Sequence, residues 1–117
     1  MRKIGWVALA LGLASTTAQA DVSEIYGKWV PADDQCRYGD YVYSALFTIM
    51  PGKIQYFENT CDMVGTPQPV GMAFSVTVSC EAVEGDNTVV TTTYEKADGG
   101  LIVRASDGYT YVAKSCP

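Results

Sequence analysis

The sequence contains no histidine. Its absence removes the residue that activates the nucleophile in Ser–His and Cys–His hydrolases. It also removes the nitrogen ligand of most zinc sites, and no two of the four cysteines are spaced as C-x-x-C. We therefore expect a protein that is not an enzyme, with no catalytic residues and no metal or other cofactor.

Without histidine, paired carboxylates are the remaining candidates for acid–base catalysis. Glu58 with Asp62, or Glu81 with Glu84 and Asp86, has the residue types that a glycosidase uses as acid and base. Their sequence surroundings are those of ordinary solvated strand and turn residues, which is how we interpret them. A carboxylate-dependent hydrolase is thus a remote alternative.

Long apolar runs are also scarce, and the main one lies near the N-terminus. Ile4 to Ala14 is apolar, but a transmembrane helix needs roughly 20 such residues. Arg2 and Lys3 precede this run and Ala18-Gln19-Ala20 follows it, which is the order of a secretory signal peptide. We predict a signal peptide over residues 1–20 that is cleaved after Ala20; a retained membrane anchor is the alternative.

Basic residues are few in the predicted mature chain, which is a single domain over residues 21–117. It keeps all 13 acidic residues but only six of the eight basic ones, for a formal charge of −7. A surface of that sign repels phosphate backbones and anionic lipids. No cysteine follows the predicted cleavage site directly, so a lipid anchor is not expected either. We expect no nucleic-acid partner and no membrane anchor after cleavage.

All four cysteines lie in the predicted mature chain, which is bound for an oxidising compartment. Four cysteines allow three pairings, and spacing alone does not select one. We favour Cys61 with Cys80, which lie on successive predicted strands, and Cys36 with Cys116, which join the start of the domain to its end. The expected location is the periplasm or the medium.

No stretch of residues 21–117 shows a sustained helical period. Pro51-Gly52 and Ser106-Asp107-Gly108 each separate two β-prone runs and predict hairpins. Phe74 to Cys80 alternates apolar and hydroxyl residues, and Thr88 to Tyr94 is rich in β-branched residues. The pattern predicts an all-β fold of about seven strands, an antiparallel up-and-down barrel or a curled meander with two disulfides.

The opening Gly27-Lys28-Trp29, after a possible single helical turn, resembles the Gly-x-Trp start of lipocalin-type barrels. In that family the tryptophan closes one end of the barrel and packs beneath an arginine from a late strand. The resemblance implies that Gly27 and Trp29 are structural residues here, and that Arg104 stacks on the indole.

The same opening, followed by Cys36, resembles small periplasmic inhibitors of secreted metalloproteases, which are also lipocalin-like. A wider resemblance, over most of residues 21–117, is to uncharacterised secreted proteobacterial proteins. It depends on Tyr56-Phe57-Glu58-Asn59-Thr60-Cys61 and on a final cysteine. These resemblances imply a lipocalin-like fold and a binding or inhibitory role.

The most unusual segment joins the Trp29 strand to the first hairpin and is rich in tyrosine. Tyrosine gives contact area at low entropic cost and is enriched in binding surfaces. We predict that this loop contacts a partner through Arg37, Tyr38, Asp40, Tyr41 and Tyr43. The alternative is that the tyrosines pack in the core.

Besides the hydrolase alternative, the sequence is compatible with two other functions. The first, which we rank highest, is an exported binding or inhibitory module that acts on a protein partner, for example a hydrolase. The second is a carrier of a small ligand or carbohydrate that uses the mouth of the barrel. A cavity of roughly 300 Å³ or more, lined by aromatic residues, would favour the carrier.

Overall fold

The computed structural model describes residues 21–36, 45–56, 59–82 and 85–117, so the predicted signal peptide lies outside the described residues. The described chain forms one short 3₁₀ helix, Val22–Ile25, and nine strands. The strands are β1 (Gly27–Pro31), β2 (Phe47–Met50), β3 (Lys53–Gln55), β4 (Thr60–Met63), β5 (Gln68–Val70), β6 (Ala73–Cys80), β7 (Thr88–Ala97), β8 (Gly100–Ala105) and β9 (Thr110–Cys116).

Eight of the strands close into an antiparallel barrel. Neighbours pair in the order β4-β3-β2-β1-β9-β8-β7-β6, and pairing of β4 with β6 completes the ring. The ninth strand, β5, pairs with the first residues of β6, whereas β4 pairs with its last residues. Closure removes the exposed edges that an open sheet would have. The predicted all-β barrel is confirmed.

The fold has nine strands where about seven were predicted, because β4 is separate from β3 and because β5 was not foreseen. β4 contains Asp62 and is only four residues long. β5 contains Pro69, which has no N–H to donate and is typical of an edge strand. Both strands pair with β6 on the same side, so they form one interrupted strand along that edge.

The two predicted hairpins are present. Gly52 has φ +86° in the turn between β2 and β3, a conformation that favours glycine. In the connection between β8 and β9, the Gly108 N–H donates to the Ala105 carbonyl at 3.0 Å, and the Ala105 N–H donates to the Tyr109 carbonyl at 2.8 Å. Gly108 has φ +97°, so this is a three-residue loop closed by a left-handed glycine.

The barrel interior is filled by side chains. Along β6, Phe74, Val76 and Val78 are buried and alternate with hydroxyl residues that face outward. Phe74 lies opposite Tyr94 of β7, which is also buried. The remaining interior residues come from the six other strands of the barrel and from the 3₁₀ helix. They include Ile25, Trp29, Phe47, Ile49, Ile54, Cys61, Leu101, Val103 and Ala113.

One end of the barrel, called here the closed end, is covered by the 3₁₀ helix and Trp29. The indole Nε1 donates to the Ile25 carbonyl at 2.9 Å, and both residues are buried. Gly27 has φ +139°, which residues with a side chain rarely adopt, so the Gly of the Gly-x-Trp pattern is required by the backbone.

Both predicted disulfides are present, Cys36–Cys116 and Cys61–Cys80. Cys61 and Cys80 lie directly opposite each other on β4 and β6, where the barrel closes. The other disulfide lies on the outer wall, where Cys116 packs with Val30 and Leu46 in a small second core. Two disulfides fit an oxidising, exported location.

Among the residues that the structure describes, no helix is long and apolar enough to cross a membrane.

The expected role of Arg104 is wrong. Its neighbour Val103 points into the core, so Arg104 points outward, where its side chain is 45 % exposed. There its Nη1 donates to Glu95 Oε1 at 3.0 Å. The buried indole of Trp29 lies on the other side of the barrel wall, and its partner is a backbone carbonyl.

Candidate functional site: a tyrosine-lined cleft at the barrel mouth

The predicted contact residues Arg37, Tyr38, Asp40, Tyr41 and Tyr43 lie outside the described residues. The structure does describe both flanks of this segment. The preceding flank ends in the Cys36–Cys116 disulfide, and the following flank enters β2 through buried Leu46. Both flanks are therefore attached to the wall of the barrel.

The end opposite the 3₁₀ helix is called here the open end. Four pairs of strands have their connected ends there: β1 and β2, β3 and β4, β6 and β7, and β8 and β9. Loops held by a rigid scaffold are where binding residues concentrate, so this end is the first place to look for a site.

Three tyrosines contribute rings to the inside of the barrel, where Tyr94 is buried and Tyr56 and Tyr111 are partly buried against the core. Tyr94 and Tyr56 both pack against Phe47, with ring centroids 6.1 and 6.4 Å from it. The Tyr94 and Tyr56 hydroxyls lie close enough for each to affect the pKa of the other. Tyr111 lies opposite Val103 of the core and is the second residue of β9, next to the turn at the open end. The interior thus contains three phenols that pack with an otherwise apolar core.

Burial raises the pKa of all three phenols, because a phenolate is poorly solvated in this setting. For Tyr94 the pKa is raised strongly, first by burial and then by the nearby Tyr56 hydroxyl. Burial raises the pKa of Tyr111 to about 12, with smaller contributions from Tyr56 and Tyr109. These phenols therefore stay neutral over the physiological range.

These shifts predict unfolding at alkaline pH. Above pH about 10, the unfolded chain loses phenolic protons that Tyr56, Tyr94 and Tyr111 retain in the fold, so stability falls as pH rises from about 10 to 12. In a titration of absorbance at 295 nm, Tyr56, Tyr94 and Tyr111 should ionise late and together with loss of the β-sheet circular dichroism. Tyr94→Phe should remove one late phenol. A single reversible titration of all phenols near pH 10, with the fold intact, would contradict this.

A cleft opens at the rim of the mouth, next to Tyr111. Its volume is about 490 Å³. It is lined by Pro31, Ala32, Asp33, Ala45, Tyr109, Tyr111 and Val112. The volume lies in the range of roughly 300–1,000 Å³ that is typical of ligand sites.

Tyr109 is the most exposed aromatic residue of the cleft, with 65 % of its surface accessible. Its backbone N–H donates to Asp107 Oδ1 at 2.9 Å, which holds it in the loop between β8 and β9. Its ring lies 5.7 Å from the ring of Tyr111, at an interplanar angle of 38°. The two rings form an aromatic wall whose inner member is fixed in the barrel and whose outer member faces solvent.

Sequence reasoning placed Tyr109 and Tyr111 on a hairpin but did not assign them to a site. The available signal was Tyr109-Thr110-Tyr111 directly after Asp107-Gly108. On a strand, residues two apart face the same side, and the first of them sits at the turn and so at the rim. The missing information was that the connection after β1 lies beside this hairpin.

The carboxylates considered for hydrolysis do not form a described site. Asp62 is exposed on the outer face of β4, and Glu81 and Asp86 are exposed in the connection after β6. Glu58 and Glu84 lie outside the described residues. Within the described ranges, no three Cys, Asp or Glu side chains are grouped so that they could hold a metal ion.

No family model, no curated protein and no solved structure matches this chain. The cleft and its surroundings are therefore the basis for any functional proposal.

Proposed function

We propose that this chain is a small exported binding module, in the periplasm or the medium, that binds a protein partner through the tyrosine-lined cleft. The observation that carries the proposal is the pair Tyr109 and Tyr111, which lines a cleft of about 490 Å³ on a disulfide-linked barrel. Exposed tyrosines on a rigid scaffold are typical anchors of protein interfaces. Inhibition of a partner enzyme is the specific form of this role that we favour.

The location of the cleft supports a protein partner. Asp33 and Ala45, on the two flanks of the tyrosine-rich segment, both line it. The predicted contact residues Arg37 to Tyr43 lie between these two flanks in the sequence. Their contribution stays a prediction. A rim of loops around a central aromatic anchor is the arrangement in which a few residues supply most of the binding energy.

The test is capture from an extract of exported proteins. The mature chain, Tyr109→Leu and Tyr109→Phe are used as baits, with Val89→Ser as the matched control, because Val89 is equally exposed (62 %) but lies on β7, outside the cleft. We expect one protein to be retained by the mature chain and by Val89→Ser. Its affinity for Tyr109→Leu, measured by calorimetry, should be about 10- to 30-fold lower, as for an aromatic anchor residue.

Equal retention by Tyr109→Leu would exclude the cleft as the binding site. If the mature chain retained no protein above the level of the matrix without bait, the proposal as a whole would be contradicted. Because Tyr109 is mostly exposed, the variant should fold, and its thermal unfolding midpoint verifies this.

A small-ligand or carbohydrate carrier is the second candidate, and the cleft volume favours it. The barrel interior is filled, so the ligand would be held at the rim and not in a central cavity. Native mass spectrometry of the protein isolated from its own compartment would distinguish the two functions. A carrier would show a bound mass of a few hundred daltons that Tyr109→Leu loses.

A further inference from the structure

Charge is distributed unevenly along the barrel. In the connections at the open end, the residues that the structure describes include five acidic ones and no basic one; the acidic residues are Asp33, Asp34, Glu81, Asp86 and Asp107. The described part of the open end is therefore negative and attracts cations towards its mouth.

The lysines lie elsewhere. Lys28 and Lys114 are on β1 and β9 beside Cys116 and Gly100, Lys53 begins β3 after the turn at the closed end, and Lys96 precedes the turn after β7. The one arginine that the structure describes, Arg104, is paired with Glu95. None of these five residues lines the cleft.

The lining of the cleft suits one kind of side chain. The faces of Tyr109 and Tyr111 carry the negative potential that attracts a cation, and Asp33 adds a carboxylate within the same cleft. The other lining residues are apolar and suit an aliphatic stem. A guanidinium group combines a planar face that stacks on aromatic rings with donors that match a carboxylate, which an ammonium group does less well.

From this geometry we infer that the cleft binds an arginine side chain presented by a basic segment of the partner protein. The inference rests on the proposed function and deepens it, since it states which group of the partner enters the cleft. The negative open end would speed association with such a partner and would make binding sensitive to salt.

The test uses two peptides, acetyl-Gly-Arg-Gly-amide and the same peptide with citrulline, an uncharged isostere of arginine. Each is titrated into the mature, disulfide-bonded protein, and amide NMR shifts are followed. We expect the arginine peptide to shift the amides of Asp33, Tyr109, Tyr111 and Val112, with an affinity about tenfold higher than that of the citrulline peptide.

Three variants locate the effect. Tyr109→Leu should weaken binding of the arginine peptide about fivefold, while Tyr109→Phe keeps the ring and should change it less than twofold. Asp33→Asn should weaken binding about threefold. Asp98→Asn is the matched control, since it removes the same charge from the turn between β7 and β8, at the closed end, and should have no effect.

Equal shifts with the citrulline peptide would overturn the inference and leave the proposed function standing, because the cleft would still bind a peptide. Absence of shifts with both peptides at 50 mM would also overturn it, and the capture experiment would then decide the proposed function separately. An equal loss in Asp33→Asn and Asp98→Asn would overturn it too, as it would reveal only a general attraction to a negative protein.

Discussion

Trp29→Ala is expected to lower the free energy of unfolding by about 3–5 kcal/mol, the usual cost of truncating a buried aromatic residue. Trp29 is 3 % exposed and belongs to the main core. Its removal would leave a cavity at the closed end and would deprive the buried Ile25 carbonyl of its indole donor. Since native domains have only about 5–15 kcal/mol of stability, this loss would bring a chain of this size close to unfolding.

Urea denaturation followed by far-UV circular dichroism is the measurement. Fluorescence is unsuitable because Trp29 is the single tryptophan of residues 21–117. Trp29→Phe is the control: it keeps most of the apolar contact but not the indole N–H, so its cost should be smaller by half or more. If the two variants were equally destabilised, the hydrogen bond to Ile25 and not the packing would dominate. A loss below about 1 kcal/mol in Trp29→Ala would show that the closed end does not depend on this residue.

Local signals in the sequence were sufficient for the hairpins and for the longest strands. Gly52 and Gly108 adopt positive φ in their turns, a conformation that favours glycine, so the glycine in the sequence directly indicates the turn. The alternation in Phe74 to Cys80 reflects one buried and one solvated face of the sheet, and the structure has that strand with the same bounds at its C-terminal end. Such features depend only on neighbouring residues.

The disulfides were predictable for a different reason. Cys61 and Cys80 face each other because β4 pairs with β6. Their assignment relied on proximity along the chain. Cys36–Cys116 relied on the assumption that the last strand pairs with the first, and β1 does pair with β9. The second disulfide could thus be predicted because the pairing of the first strand with the last was predicted correctly, although the list of predicted strands was incomplete.

The cleft could not be predicted because its parts are distant in the sequence. Pro31 to Asp33 and Ala45 flank one connection, while Tyr109 precedes the last strand and Tyr111 and Val112 lie within it. Only the pairing of β1 with β9 brings them together. The role of Arg104 failed for a related reason: the side of the wall on which a residue lies depends on strand register, and Val103 takes the inward position.

Replacing both Cys36 and Cys116 with alanine is expected to lower the free energy of unfolding by about 4 kcal/mol. The cysteines are 80 residues apart, and in the chain-entropy model a cross-link over a loop of that size restricts the unfolded chain by roughly 4–5 kcal/mol. The effect acts mainly on the unfolded state, so the dependence of unfolding free energy on urea should become steeper, because more surface becomes exposed when the tether is gone.

The native barrel should nevertheless form without this disulfide, because Lys28 to Pro31 pair with β9 through backbone hydrogen bonds that do not involve sulfur. Far-UV circular dichroism at 25 °C should therefore be unchanged. Binding to the partner, in contrast, should weaken. Asp33 lies three residues before Cys36, and without the disulfide this flank of the cleft loses its attachment to the outer wall. Affinity for the captured partner should fall even where the barrel is fully folded. Unchanged affinity in the folded double variant would mean that β8 and β9 alone form the binding surface, with Tyr109 and Tyr111 sufficient to hold the partner.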